Sequence, residues 1–255
     1  YLEFGVAGAA IATIIGQMTA CLLAIILFRK TSRIKVSLKN FKPNAQIIKN
    51  IYSIAIPSGV MTSLPSILVA LLNSLLATVS QTAIAFFGIY FKLQSFIYMP
   101  ANGLIQGMRP LISYNYGARH FDRVKKIIKV SIISTAVILC CGTIIFMGLP
   151  ELVLSWFNAT EQLLEIGIIG LRVISPCFIL STMGVVISGV FESLGKGRQS
   201  LTISLLRQFI ITLPLAYILL KVIGLNGIWL SFVIAEGIAS VIAVILIKKE
   251  LHNFK

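Results

Sequence analysis

The chain has 255 residues, of which 57% are hydrophobic and only 12% are charged, and its formal net charge is +14. A water-soluble domain of this length carries about 25% charged residues, so the composition excludes an ordinary soluble globule. Most of the 22 Lys and Arg residues lie in four clusters, at 29–49, 119–129, 196–207 and 248–255. Basic clusters that alternate with apolar stretches indicate the loops of a membrane protein rather than a nucleic-acid-binding surface.

Seven apolar stretches are long enough to cross a bilayer, whose hydrocarbon layer of about 30 Å needs about 20 helical residues. They are 5–28, 51–77, 84–113, 128–149, 163–191, 203–222 and 225–247. Backbone groups must pair with each other inside lipid, and apolar runs without two-residue alternation favour helices over barrel strands. The sequence therefore predicts an all-α polytopic membrane protein with seven transmembrane helices. All four basic clusters then fall on one face, which the positive-inside rule makes cytoplasmic.

The first and last spans are similar to each other. Residues 5–17 align with residues 224–236 at a constant offset of 219 positions, and small residues stand opposite small residues. Two unrelated membrane helices can share glycines, and the alternative is a duplicated transporter with parallel repeats. In the second interpretation the first span closes one half and the other six spans form its partner. The start at Tyr1, without Met or a signal peptide, agrees with an incomplete sequence.

The segment between the first two spans mixes lysines with apolar residues. We interpret residues 31–50 as an amphipathic linker on the cytoplasmic surface of the membrane.

Prolines are frequent in the predicted spans. Pro57 and Pro65 share the second span, Pro100 and Pro110 lie in the third, and Pro176 lies in the fifth. Each removes a backbone donor and bends its helix, which makes it either a candidate hinge or a fixed kink.

Uncharged polar residues in the spans are candidates for a substrate cavity. Asn102, Gln106 and Arg109 are spaced so that they share one stripe of the third helix. One interpretation is that they form a cavity wall or an inner gate. The other is that Arg109 extends to the membrane interface while the two amides bond to neighbouring helices. Asn73 and Gln94 lie in other positions of the spans, and each either contacts the substrate or bonds to a neighbouring helix.

Lys92, Arg172 and Glu236 are charged residues that lie more than two turns from either end of an apolar span. A charge at the centre of a membrane helix costs about 2.5–3.5 kcal/mol, so each is expected to face a cavity or a partner. Glu236 has no charged neighbour one turn away, and we predict Arg172 or Lys92 as its partner. The pair is then structural, or Glu236 binds a coupling proton or sodium ion, because a carboxylate removed from water takes up a cation more readily.

Catalytic chemistry, a metal site and a cofactor are not indicated. The four cysteines, at 21, 140, 141 and 177, all lie in apolar spans and are expected to be packing residues. His120 and His252 lie in basic segments, and no nucleophile is accompanied by a base. We therefore do not expect an enzyme.

Residues 103–126 carry the most specific motif, GLIQGMRPLISYNYGARHFDRVKK. It combines the end of an apolar span with a turn at 114–118 and a basic run at 122–126. The motif closely resembles the inner end of the second helix in each half of multidrug and toxic compound extrusion (MATE) transporters. Segments 5–17, 55–59, 191–215 and 224–229 are similar to the same family, so the resemblance covers nearly the whole chain.

The resemblance implies that the chain corresponds to helices 6–12 of a twelve-helix, two-lobe fold. Residues 1–30 would be the last helix of the N-terminal lobe, 31–50 the linker and 51–255 the C-terminal six-helix lobe. The protein would lie in the plasma (inner) membrane, with its basic loops and C-terminus cytoplasmic. Its expected partners are membrane lipid, the missing N-terminal lobe and small amphipathic cations, without nucleic acid.

The activity implied is export of amphipathic, often cationic compounds in exchange for protons or sodium ions by alternating access. Some members carry a coupling carboxylate in the helix that matches 51–77, but this stretch has no Asp or Glu, so the coupling ion stays open. The alternative is a flippase for lipids or lipid-linked oligosaccharides from the related superfamily. That activity would require a larger and more cationic cavity, for which Lys92, Arg109 and Arg172 are the available cations.

Overall fold

The computed structural model describes residues 5–31, 42–157 and 159–252. They fall into two compact units, one within 1–48 and the other within 49–255. Half of the predicted amphipathic linker 31–50, residues 32–41, lies outside the described residues. The helices are α1 (Gly5–Thr31), α2 (Ala45–Ala77), α3 (Gln81–Gly117), α4 (Phe121–Gly148), α5 (Pro150–Ser155), α6 (Glu161–Ile174), α7 (Pro176–Ser193), α8 (Gly197–Leu205), α9 (Thr212–Ile223) and α10 (Leu225–His252), with a π-helical turn, Leu206–Ile210, between α8 and α9.

Seven helical segments in the described ranges are long and apolar enough to cross a membrane, which confirms the predicted all-α membrane fold. Two of them differ from the prediction. The predicted fifth span, 163–191, is divided into α6 and α7, because Pro176 has no N–H with which to continue the helix. The predicted span 203–222 begins earlier, at Gly197, and contains the π-helical turn.

Local sequence signals explain several helix ends. The Asn44 Oδ1 atom accepts a hydrogen bond from the Gln46 N–H (2.9 Å) at the start of α2, and the Ser80 hydroxyl accepts one from the Ala83 N–H (3.0 Å) at the start of α3. Gly224 ends α9 with a φ of 74°, a conformation that favours glycine. The helix α1 ends with Arg29 and Lys30 in its last turn, where cations interact favourably with the helix dipole.

The buried side chains of the larger unit form two apolar clusters. The first is rich in aromatic residues, and its Phe86 and Trp229 rings meet edge to face with centroids 5.1 Å apart. The second is mainly aliphatic and includes Met108 of α3, Val190 of α7 and Ile247 of α10. In each of these three helices, the residues of the first cluster lie toward one end and those of the second cluster lie toward the other end. The two clusters therefore occupy successive levels of the helix bundle.

The four predicted hinge prolines of the second and third spans lie inside continuous helices. Pro57 and Pro65 are within α2, and Pro100 and Pro110 are within α3. Buried leucines at four-residue spacing, Leu64, Leu68, Leu72 and Leu76, give α2 one packed face, while its opposite face is exposed.

The close approach of α9 and α10 depends on Gly227. A Cβ atom at this position would lie 2.2 Å from the backbone oxygen of Leu219. Because a backbone atom cannot turn away as a side chain can, any larger residue must push the two helices apart.

We expect Gly227→Ala to lower the free energy of unfolding of the full-length protein by about 1–3 kcal/mol through overpacking. Thermal unfolding in a single detergent measures the effect. Gly237→Ala on the same helix is the matched control, because its added Cβ would lie 3.9 Å from Leu180 Cδ1, an ordinary contact. A melting temperature for Gly227→Ala equal to that of the control would contradict the prediction.

Candidate functional site

A cavity of about 430 Å³ lies within the larger unit and brings together residues from four helices and the π-helical turn. Its wall is polar on one part and aromatic on another. The lining residues are Pro65, Leu68, Phe91, Gln94, Ser95, Tyr98, Met99, Asn102, Val185, Arg207, Gln208, Phe232 and Glu236.

An ion pair between Arg207 and Glu236 forms the charged part of the wall. The Arg207 Nε–H donates to Glu236 Oε1 over 3.0 Å, and the two side chains are only 15% and 12% exposed. Glu236 follows Phe232 of the first apolar cluster and precedes Ala243 of the second on α10. The pair therefore lies at the level between the two clusters, where water is scarce and the attraction between the charges is strong.

The predicted partners of Glu236 were wrong. Lys92 and Arg172 are both exposed, and in the described part of the chain neither lies within salt-bridge distance of a carboxylate. The partner does come from another helical segment, as predicted, but it is Arg207, the last residue of the basic cluster 196–207. The predicted span 203–222 places Arg207 near its start, whereas the structure begins the helix at Gly197 and so places Arg207 nearly three turns inside it.

The π-helical turn orients Arg207 and Gln208. Its wider ring is closed by the Ile211 N–H, which donates to the Leu206 carbonyl over 3.1 Å, and the Thr212 hydroxyl donates to the Arg207 carbonyl. Pro214 follows and has no N–H to offer the Ile210 carbonyl. Single π turns of this kind frequently occur at functional sites.

Two side-chain acceptors of residues that line the cavity have no hydrogen-bond partner among the described residues. They are Glu236 Oε2 and Gln208 Oε1, and both atoms are buried. A buried acceptor without a donor costs about 1–3 kcal/mol, so these atoms favour a ligand that supplies hydrogen-bond donors or positive charge.

The aromatic part of the wall is held in place by hydrogen bonds. The Ser181 hydroxyl donates to the Phe178 carbonyl over 2.8 Å, and so the Tyr98 hydroxyl must donate to Ser181 Oγ, 2.6 Å away. This bond fixes the Tyr98 ring beside the ion pair. Gly184 of α7 lies behind the pair, since a Cβ there would be 3.9 Å from Glu236 Oε2.

The predicted polar candidates are divided among several environments. Gln94 and Asn102 line the cavity, whereas Gln106 is exposed and does not. Asn73 lies on α2 with a buried Oδ1 atom that has no partner in the described ranges. Arg109 pairs instead with Glu192 of α7, Nη2 to Oε2, over 2.7 Å.

The predicted hinge residues also differ in position. Pro65 lines the cavity, and Pro57 lies near Gly197, whose added Cβ would be 3.7 Å from Pro57 Cβ. Pro176 is the first residue of α7, where its missing N–H would in any case be unpaired.

Comparison with known proteins gives the same family as the sequence motif. Residues 57–218 match the family described as MatE. The multidrug export protein MepA of Staphylococcus aureus (strain bovine RF122 / ET3-1) is 31% identical over 246 residues, which are 96% of this chain and 54% of that protein. MepA of Staphylococcus haemolyticus (strain JCSC1435) is 32% identical over 248 residues, with the same coverage. The chain therefore spans about half the length of the curated relatives it matches.

Solved structures agree on the fold. A multidrug resistance MATE family transporter of the MOP superfamily in its outward-facing conformation superposes with a TM-score of 0.90 at 23% identity, over 99% of this chain and 58% of that one. A MOP superfamily transporter from Pyrococcus furiosus Vc1 gives the same TM-score, identity and coverage. The family match and the curated relatives confirm the predicted family, whose members are transporters and not enzymes. The solved structures confirm the all-helical fold, which corresponds to about half of each matched chain.

Breaking the ion pair from one side should be more harmful than removing it. We expect Arg207→Met to destabilise the full-length protein by about 3–5 kcal/mol, because Glu236 is left buried without its partner. The double variant Arg207→Met/Glu236→Met should recover most of that loss, since two apolar side chains replace the pair. Thermal unfolding at neutral pH measures both, and a double variant no more stable than Arg207→Met would contradict the coupling.

Proposed function

Because the chain belongs to the MatE family of membrane transporters, we propose that it acts as one half of a secondary active antiporter. The transporter exports amphipathic, cationic drugs or toxic compounds by alternating access, in exchange for protons or sodium ions. In this proposal residues 1–30 close the N-terminal lobe, 31–50 link the lobes, and 51–255 form the C-terminal six-helix lobe. The transporter lies in the plasma (inner) membrane, with the basic loops and C-terminus cytoplasmic.

The observation that carries the proposal is the cavity beside the Arg207–Glu236 pair. Its aromatic residues, Phe91, Tyr98 and Phe232, offer ring faces that attract organic cations. The amides of Gln94 and Asn102 offer both donors and acceptors to polar groups of a bound compound. An apolar wall with a few polar groups suits amphipathic molecules of varied shape.

Glu236 is the candidate for cation coupling in this half. Glu236 lines the cavity; one of its carboxylate oxygens is held by Arg207, and the other is buried without a partner among the described residues. A proton or sodium ion bound to this carboxylate would weaken its hold on Arg207 and alter the charge of the cavity wall. Binding of the ion and of a cationic substrate would then compete, which is the requirement for exchange.

The cavity supports drug export better than lipid-linked sugar flipping. A flippase needs a cationic cavity for phosphate groups, and Lys92, Arg109 and Arg172 were the available cations. Among the described residues, none of these three lines the cavity, and its one cation, Arg207, is already paired.

The prolines of α2 are the proposed hinge. Pro57 precedes the packed leucine face of this helix, and Pro65 lies at the start of that face and also lines the cavity. A bend at these positions would widen or narrow the cavity. Pro100, Pro110 and Pro176 would act as secondary bends in α3 and at the junction of α6 and α7.

Cells that express the full-length gene should lose ethidium faster than control cells, and collapse of both the proton and the sodium gradient should abolish the difference. Fluorescence of preloaded cells measures the rate. Export that persists without either gradient would refute ion coupling.

Glu236→Gln separates the coupling role from a structural role. If Glu236 binds the coupling ion, the variant should reach normal abundance in the membrane, because the amide oxygen of Gln can still accept the hydrogen bond from Arg207. It should nevertheless lose gradient-driven export, because an amide cannot take up a proton or replace the carboxylate charge. Immunoblotting and the ethidium assay measure the two quantities. Loss of abundance together with export would instead support a structural role.

Asn102→Ala should raise the ethidium concentration that gives half-maximal export by roughly threefold to tenfold, the value of one lost hydrogen bond. Gln106→Ala is the matched control, since it removes an amide from the next turn of the same helix outside the cavity. Equal effects of the two substitutions would show that the cavity is not the substrate site.

A further inference from the structure

A second cavity, of about 610 Å³, lies between α3 and α4 and takes no part in the proposed transport site. Leu104, Met108 and Leu111 of α3 face Ile127 and Val130 of α4 across it. It is open along one side, and a Cβ atom added at Gly107 would meet no atom within 4 Å. The cavity is therefore an apolar groove with unfilled space in its middle.

One end of the groove is strongly basic. Arg123 and Lys126 line it, and both are exposed. The nearby carboxylate of Asp122 lies 3.9 Å from the Nζ atom of Lys125, a residue that does not line the groove. Within the described ranges, no carboxylate lies within salt-bridge distance of Arg123 or Lys126. Two cations at the end of an apolar groove are complementary to an anionic head group attached to an acyl chain.

The same end contains a buried polar group without a partner. Asn115 is 9% exposed, and its Nδ2 atom donates to the Leu111 carbonyl over 2.8 Å. Its Oδ1 atom has no donor in the part of the chain that the structure describes, and Asn115 lines the groove. The groove thus offers an acceptor beside two cations, which suits a head group that carries hydroxyl donors as well as a phosphate.

The dimensions of the groove match one leaflet. From Leu104 to Asn115 it follows α3 for about 17 Å at 1.5 Å per residue, close to half of a hydrocarbon layer of about 30 Å. Arg123 and Lys126 precede the apolar stretch 128–149 of α4, which places them at the level of the head groups.

We propose that the groove between α3 and α4 binds one anionic phospholipid whose head group carries hydroxyls, such as phosphatidylglycerol. Arg123 and Lys126 hold the phosphate, Asn115 Oδ1 accepts from a head-group hydroxyl, and one acyl chain lies along the groove past Gly107. A lipid bound there would tie the ends of α3 and α4 to the membrane surface.

Native mass spectrometry of the full-length protein tests the proposal with equimolar phosphatidylglycerol and phosphatidylethanolamine in detergent. The parent protein should retain phosphatidylglycerol preferentially. Arg123→Gln/Lys126→Gln should reduce that retention about 30-fold, because each cation near the membrane surface contributes roughly fivefold. Lys125→Gln/Lys129→Gln removes the same charge from the same helix outside the groove and should change retention less than twofold.

A third variant tests the effect of the groove's shape independently of its charges. Gly107→Leu fills the open space while it leaves both cations in place, and it should also reduce phosphatidylglycerol retention. Retention by Arg123→Gln/Lys126→Gln equal to that of the parent, as expected if the other half of the transporter covers the groove, would overturn the proposal. An equal loss in Lys125→Gln/Lys129→Gln would overturn it too, since bulk charge would then explain the binding. The readout is lipid retention, so it does not depend on transport.

Discussion

Inside a bilayer every backbone N–H and C=O must find its partner within the protein, and this constraint governs the described fold. It requires long helices, and it allows interruptions only where protein surrounds them. At the break between α6 and α7, the Thr143 hydroxyl lies within hydrogen-bond distance of two carbonyls, those of Leu139 (3.0 Å) and Ser175 (3.1 Å), and Ser175 is fully buried. At the π-helical turn, the hydroxyl of the buried Thr212 donates to the Arg207 carbonyl. At both interruptions a side-chain hydroxyl therefore lies against a backbone carbonyl inside the protein.

The polar site follows from one of these interruptions. The π-helical turn directs Arg207 toward Glu236 at the level where the two apolar clusters meet. A charged pair between two apolar layers contributes little net stability compared with an apolar pair of equal volume, but it holds its two helices in one register. Beside the pair, Glu236 Oε2 and Gln208 Oε1 have no partner among the described residues, which adds a further cost. A site with this balance stabilises the fold only modestly and is suited to exchanging its contacts for those of a ligand.

Much of the fold could be predicted because composition and span length report directly on the lipid solvent. The seven spans, the glycine-rich motif and the intramembrane position of Glu236 were all visible in the sequence. The partner of Glu236 was not, because a run of residues gives no sign that its helix contains a π turn or which neighbour it faces. From the sequence, Lys92 and Arg172 are better candidates only because their neighbours along the chain are apolar. In the structure both side chains are exposed on the outside of the bundle. The lining of the cavity by Gln94 and Asn102, but not by Gln106, likewise depends on packing between helices that spacing alone does not determine.

The π-helical turn has a consequence for how this span varies among related proteins. A π turn accommodates one residue more than an α-helical turn, so the faces of α8 and α9 are offset by about 100° although both belong to one span. Deleting a single residue between 206 and 211 would restore a regular helix and rotate the Arg207 guanidinium away from the Glu236 carboxylate. The additional residue and the acidic side chain on α10 are thus useful only together. Lineages that lose one have no physical reason to retain the other.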